Sequence, residues 1–156
     1  MKNNKSIMLR KLLIGIFLIC YPSFLLQADY LRNDIKMIVL DSSSGLIWQD
    51  DNSSKNLIGN WSTAITTCEN LILGGYTDWR LPNFNELNSI TSKTSVWKSI
   101  KSTFINIADE KYWSSTIMIN STGTAWTVNF SLNSPMTFGG SNKNDGYNIR
   151  CVRGGF

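Results

Sequence analysis

Cys68 and Cys151 lie 83 positions apart, and no other feature limits the fold of this chain as much. A bond between them would close a loop around most of the domain. Whether they bond depends on the compartment, and the N-terminus bears on that. Lys2, Lys5, Arg10 and Lys11 make a basic start with no acidic residue. The apolar run Leu12 to Cys20 follows, Pro22 breaks it, and Leu26-Gln27-Ala28 sets a small residue before Asp29. Charged start, short apolar centre and small exit describe a secretory signal peptide over residues 1–28. A membrane anchor is the alternative, but a spanning helix needs about 20 apolar residues and Pro22-Ser23 interrupts this run. A lipoprotein acylated at Cys20 is weaker, because bulky Ile19 stands where a small residue is expected. Cys20 departs with the leader, which leaves an even pair in an oxidising compartment, where pairing is favoured. In the chain-entropy picture that closure is worth roughly 4–5 kcal/mol, less any strain. Two buried free thiols are the other outcome.

The leader also decides the charge argument. The whole chain has 15 basic and 11 acidic residues, a net +4. The leader holds 4 of the basic residues and none of the acidic ones, so the mature chain is balanced at 11 against 11. A nucleic-acid-binding domain needs a basic face, and this composition argues against one. The expected location is secreted, periplasmic or cell-surface, with the membrane involved only through export. The 128 mature residues suit a single domain. All 6 tryptophans lie within them, and large aromatic burial can stabilise a loop-rich fold.

Residues 29–36 read as a polar, flexible lead-in, and 37–156 as the domain. Met37–Leu40 and Leu46–Gln49 are short apolar runs separated by the turn formers Asp41–Gly45, a hairpin signal. Asp50–Asn60 is polar and reads as a surface loop. The strongest helix is Trp61–Leu71: Asn60 can cap it, and Trp61, Ala64, Ile65, Cys68, Leu71 and Ile72 recur at helical spacing. Gly74-Gly75 is expected to stop it. After the extended Tyr76–Pro82 segment, Asn83 and Glu86 have capping-box spacing for a second helix with Phe84, Leu87 and Ile90 inward. Val96, Trp97, Ile100 and Phe104 suggest pieces that pack on the core. Strands are expected at Tyr112–Thr116, Ala125–Phe130, Met136–Phe138 and Asn148–Arg153, with Gly139–Gly146 as a polar loop. In the last strand, alternation puts Ile149 and Cys151 on one side and Arg150 and Val152 on the other. Two helices with a small, mostly antiparallel sheet, long loops and one disulfide make an α+β domain.

Several of these segments together resemble a known family. They are Gly45–Trp48, Trp61 through Cys68-Glu69-Asn70-Leu71, Gly75–Asn83 leading to Glu86-Leu87, Tyr112–Thr116, Ala125–Phe130 and Arg150–Arg153. In this order, over about residues 37–155, they are similar to the C-terminal domain of the Legionella collagen-like protein, the Lcl C-terminal domain. The resemblance implies a C-type-lectin-like fold in which a disulfide ties the first helix to the last strand. It also implies an exported bacterial protein, the best understood relative being an adhesin toward sulfated glycans. Trp48, Trp61, Trp79, Arg80, Pro82, Trp113 and Trp126 are the structural core of the matching motifs.

The sequence contains no histidine, which removes Ser-His, Cys-His and histidine–metal arrangements. The oxidase relatives of the lectin-like fold use cysteines beyond the structural pair, and none remain. Ser114-Ser115 lack a base and read as strand hydroxyls serving backbone groups. Asp50-Asp51 read as solvated acids in a loop. The Glu-Pro-Asn, Gln-Pro-Asp and Trp-Asn-Asp motifs of calcium-dependent lectins are absent, and Asn142, Asn144 and Asp145 offer few carboxylates for calcium. No metal and no cofactor are expected.

Asp78-Trp79-Arg80 reads as structure, with Trp79 in the core and Arg80 paired to Asp78 or another carboxylate. Arg153, near the end, is expected to be exposed. Binding must then come from loops, and Lys143, Asn144, Asp145 and Tyr147 are the candidate ligand contacts, against the plain alternative of a solvated loop. Lys93, Lys98, Lys101 and Lys111 would form a basic patch if they share a face. These readings predict a non-enzymatic, adhesin-like recognition module for a glycan or a host or envelope surface protein. A structural or assembly component of the bacterial envelope is the alternative.

Overall fold

The computed structural model describes residues 30–91, 103–131 and 138–155. The leader, Val96, Trp97, Ile100, three of the four clustered lysines and the Met136-Thr137 part of an expected strand lie outside these residues. In chain order the strands are β1 (Tyr30–Asn33), β2 (Ile38–Asp41), β3 (Leu46–Gln49), β4 (Ile58–Gly59), β5 (Lys111–Met118), β6 (Ser121–Asn129), β7 (Phe138–Asn142), β8 (Tyr147–Asn148) and β9 (Val152–Gly154). The helices are α1 (Ser53–Asn56), α2 (Trp61–Glu69) and α3 (Phe84–Ser89). The class is mixed α+β, as expected, but the regular structure is larger than expected. Two sheets replace one small one, with orders β1-β2-β3-β9 and β4-β8-β5-β6-β7, and a third, short helix is added. All strand pairs are antiparallel except β5 with β8.

The β2–β3 hairpin forms where the turn formers lie. Asp41 accepts from Ser43 N, Ser43 Oγ and Ser44 Oγ, and Gly45, at φ 69°, returns its N–H to Asp41 O. β1 occupies the stretch expected to be a flexible lead-in. Its polar residues have partners inside: Tyr30 packs its ring against Phe104 and Arg32 reaches Asp50. Asp50–Asn60 is likewise no simple surface loop. It carries α1 and β4, and Asp50 is fully buried.

α2 begins at its predicted cap, Asn60, whose side chain accepts from Thr63 N at 2.8 Å. It ends two residues early, at Glu69 with Asn70 as its C-cap, and Ile72 is exposed rather than on the apolar face. Gly74 and Gly75, at φ 63° and 87°, serve a tight turn between Leu73 and Tyr76 instead of stopping the helix. α3 has the predicted capping box: Asn83 Oδ1 accepts from Glu86 N at 2.9 Å and Glu86 Oε2 from Asn83 N at 2.8 Å.

The β5–β6 pair separates two cores. Tyr112 and Val128 join Val39, Trp48, Leu87, Ile90, Phe104 and Val152 on one side. Trp113 and Ala125 join Ala64, Cys68, Trp79, Leu81, Ile149 and Cys151 on the other. Period-two alternation along β5 produces this split.

The expected last strand is broken in two. β8 belongs to the five-stranded sheet and β9 to the four-stranded one, so Ile149–Cys151 is the crossing between them. Its backbone bonds elsewhere: Ile149 N donates to Leu57 O, and Cys151 N to Gln49 Oε1. The predicted alternation still holds in packing, since Ile149 and Cys151 enter one core and Val152 the other. Cys151 therefore bonds Cys68 from just before β9, across 5.4 Å between Cα atoms. Phe138 is in a strand as expected, but β7 continues through 139–142 where a loop was expected, pairing Phe138–Asn142 with Thr124–Val128 in the five-stranded sheet.

Candidate functional site

The four loop residues singled out from the sequence lie together on the β7–β8 turn. Asn142 shapes that turn, its Oδ1 accepting from Asn144 N at 3.0 Å and its carbonyl from Asp145 N at 2.9 Å. The Lys143 backbone is clamped from both sides. Its N–H donates to Gly123 O at 2.9 Å, and its carbonyl accepts from Trp61 N, the first residue of α2, at 3.0 Å. This clamp sets the Lys143 ammonium 4.0 Å above the centre of the Trp61 ring. Trp61 is itself fixed, because its Nε1–H donates to Ser114 O at 2.9 Å.

Tyr147 is positioned by the same logic. It pairs with Gly59, and its ring meets Trp113 edge-on at 5.0 Å. Trp113 in turn donates Nε1–H to Gly59 O. The Lys111 ammonium stands 5.3 Å from the Tyr147 ring centre, and the Tyr147 hydroxyl donates to Asp145 at 3.3 Å. Two ammonium groups and two half-buried aromatic rings thus share this region. Neither lysine pairs with a carboxylate among the described residues. A cation over an exposed ring gains only about 0.5–1 kcal/mol, so both amines remain available to an incoming anion or hydroxyl.

The sequence found Lys143, Asn144, Asp145 and Tyr147 but not Lys111 or Trp61 as their neighbours. Sequence proximity groups Lys111 with Lys93, Lys98 and Lys101, and helical spacing places Trp61 on the apolar face. Only the β5–β8 pairing brings Lys111 to Tyr147, and no local pattern encodes that pairing. Of the core motif, Trp48, Trp79, Pro82 and Trp113 are buried, while Trp61 and Trp126 are half-buried.

A second cluster is wholly interior. Asp50 Oδ1 accepts from Arg150 Nη1 at 2.9 Å and from Asn106 N at 3.2 Å; Asp50 Oδ2 accepts from Ile105 N at 3.0 Å and from Arg32 Nη1. Arg150 also donates to the carbonyls of Gln49 and Asn106, and its guanidinium faces the rings of Phe104 and Tyr112 at 5.0 and 5.6 Å. Burial pulls the Arg150 guanidinium down from its ordinary value, with Tyr112 and Asp51 acting in the opposite direction. Asp50 is therefore a buried counter-ion, not the solvated acid expected from its polar neighbourhood. With both side chains at zero exposure, a ligand has no route to this pair, and its role is to join β1, the end of β3 and residues 105–106 to the crossing segment.

Of the two arginines near the surface, Arg80 pairs with a carboxylate as expected, taking Glu86 in a two-pronged contact at 2.7 Å and leaving Asp78 to Arg153. Arg153 takes Asp78 at 2.6 and 2.9 Å and lies 3.8 Å over the Tyr76 ring, so its side chain is largely covered rather than exposed as expected. The Ser114 hydroxyl donates to Trp126 O at 2.8 Å, a backbone role as predicted. Among the described residues no three side chains of His, Cys, Asp or Glu converge as a metal group would require.

No curated protein matches the chain. The family model of the Lcl C-terminal domain matches residues 37–153, a span that runs from the start of β2 into β9 and contains both cysteines and the whole β7–β8 turn. The chain belongs to the Lcl C-terminal domain family.

Proposed function

We propose that this protein is an exported, non-enzymatic recognition module that binds an anionic glycan through the surface formed by Trp61, Lys111, Lys143 and Tyr147. The observation that carries this reading is the pair of ammonium groups held over aromatic rings with no carboxylate partner among the described residues. Rings supply a flat apolar face for a sugar, and the amines supply charge-assisted bonds to its acidic groups. The leader-like N-terminus and the disulfide are compatible with a secreted or surface location. The helix-to-C-terminus disulfide and the mixed sheets also support a C-type-lectin-like fold. The absence of histidine and the engaged Ser114 hydroxyl support a non-catalytic role.

The test is binding of the purified protein to immobilised sulfated and unsulfated glycans, with the Lys111→Ala/Lys143→Ala double variant as comparison. Binding that falls about tenfold or more in the variant supports the reading, since two charge-assisted contacts are worth that much. Unchanged binding, or none to any glycan, refutes it. A host or envelope protein as the ligand would show instead as capture of one defined protein by the same surface, lost in the same variant.

A further inference from the structure

We propose a second binding site, distinct from the β7–β8 surface: a groove between the Asp41–Gly45 turn and α3 that takes an uncharged, hydroxyl-rich ligand of the sugar type. The groove has a volume of about 610 Å³, within the range of about 300–1,000 Å³ usual for small-molecule sites. Ser43, Ser44 and Asp41 form one wall, and Asn85, Asn88 and Ser89 form the other. Tyr30 and Leu46 add apolar surface to the lining.

The hydrogen-bonding character of the two walls is complementary to a polyol. The Ser43 and Ser44 hydroxyls each donate to Asp41, at 2.7 and 2.8 Å. A hydroxyl that has spent its one hydrogen can only accept, so this wall offers acceptors. Asn85 and Asn88 stand three apart on α3, hence on one face of it, while Leu87 and Ile90 go into the core. Neither amide side chain bonds another described residue, so each presents two N–H donors and one acceptor oxygen. A sugar hydroxyl both donates and accepts, and vicinal hydroxyls can bridge such walls.

Charge selects the ligand class. Among the described residues the lining holds the carboxylate of Asp41, which has no cationic partner there, and no cationic side chain, while the Glu86 carboxylate is neutralised by Arg80. A sulfated or uronic polymer is repelled here, whereas a neutral glycan meets no unpaired cation. The two sites therefore have opposite electrostatic preferences. A glycan with neutral and acidic blocks could engage both, which would give avidity without any further contact.

Titration of the isotope-labelled protein with neutral oligosaccharides (cellohexaose, mannohexaose and chitotetraose) checks the site by amide chemical shifts. The expected result is saturable shifts of Ser43, Ser44, Asn85 and Asn88 with at least one of them. Asn85→Ala/Asn88→Ala should weaken that binding about tenfold, two neutral hydrogen-bonding groups being lost. Lys111→Ala/Lys143→Ala should leave it unchanged, which separates this site from the proposed function. Three results would overturn the proposal: no shift in the groove with any of the three sugars, shifts that survive the asparagine variant, or equal groove shifts with heparin fragments. Mapping on the unmodified protein decides the matter even if the double variant fails to fold.

Discussion

Replacing Asp50 by Asn keeps the side-chain shape and removes the only carboxylate among the described residues that Arg150 bonds directly. Arg150 is fully buried, and its Nε already lacks a partner, so no spare acceptor stands ready for it. Breaking a buried pair by removing one partner costs about 3–5 kcal/mol, because the remaining charge stays desolvated. The reverse change, Arg150→Met, should cost less. Asp50 would keep Arg32 and the N–H groups of Ile105 and Asn106, while the long apolar side chain of Met can lie against Phe104 and Tyr112. What is lost then is mainly donation to the Gln49 and Asn106 carbonyls, about 1–3 kcal/mol. The double variant should recover part of the Asp50→Asn loss, since the stranded charge is gone. Urea unfolding followed by tryptophan fluorescence gives all four corners of this cycle, provided the slope is constant. An Asp50→Asn cost below about 1 kcal/mol would refute the counter-ion reading. So would an Arg150→Met cost exceeding it, or strict additivity in the double variant.

Further outcomes follow from the staple, the cap and the titrating groups. Reduction of Cys68–Cys151, closing 83 positions, should lower unfolding free energy by about 4–5 kcal/mol; a change below about 1 kcal/mol would mean the unfolded chain is not constrained by it. Asn83→Ala should cost about 1 kcal/mol in urea unfolding through the lost α3 capping box, and no measurable cost would deny the cap its role. Burial raises the Glu86 carboxyl, but Arg80 and the Asn83 N–H outweigh it and hold the group below its usual range. A lowered folded pKa means stability that is present above about pH 4 and lost as pH falls through the folded value, so Glu86→Gln should flatten the acid limb of stability against pH. Burial and nearby Asp41 push the Tyr30 phenol up to about 12. The raised value means stability is held below the ordinary tyrosine pKa and lost as pH rises through about 12, and Tyr30→Phe should remove that part of alkaline unfolding.

The parts of this fold that were readable from the sequence are those fixed by neighbours in the chain. Asn60 before an apolar stripe, Asn83 three before Glu86, and Asp41-Ser-Ser-Ser-Gly45 between two apolar runs each satisfy their own backbone groups within four residues. Partner choice over long distance was not readable in this way. Asp78 and Arg80 are two apart yet take Arg153 and Glu86, because β9 runs beside the Arg80 segment and delivers Arg153. Tyr30–Asn33 reads as a polar lead-in because what orders it lies farther along the chain: backbone pairing with β2, and Asp50 and Phe104 against the Arg32 and Tyr30 side chains. The candidate site divides the same way: its turn residues were visible in the β7–β8 loop, while Lys111 and Trp61 reach it only through sheet pairing and the α2 cap position.

The segment from Ile149 to Arg153 explains how a chain with so much irregular structure can hold its loops in place. Its five residues tie to four separate parts of the fold. Ile149 bonds Leu57, Arg150 bonds Asp50, Cys151 bonds Cys68, Val152 bonds Arg80 through the backbone, and Arg153 bonds Asp78. The ties differ in kind as well, being backbone at Ile149 and Val152, buried ionic at Arg150, covalent at Cys151 and surface ionic at Arg153. Their losses would be coupled, because the covalent bond and the buried pair sit on adjacent residues and order the same backbone. Reduction should therefore cost less in an Asp50→Asn background than in the unmodified protein, since that crossing is already loosened. Only β8 separates the β7–β8 turn from this segment, so Lys143 and Tyr147 lie next to a stretch whose residues are all tied to other parts of the fold. Recognition surfaces gain from such preorganisation, because less side-chain and loop freedom remains to be lost on binding.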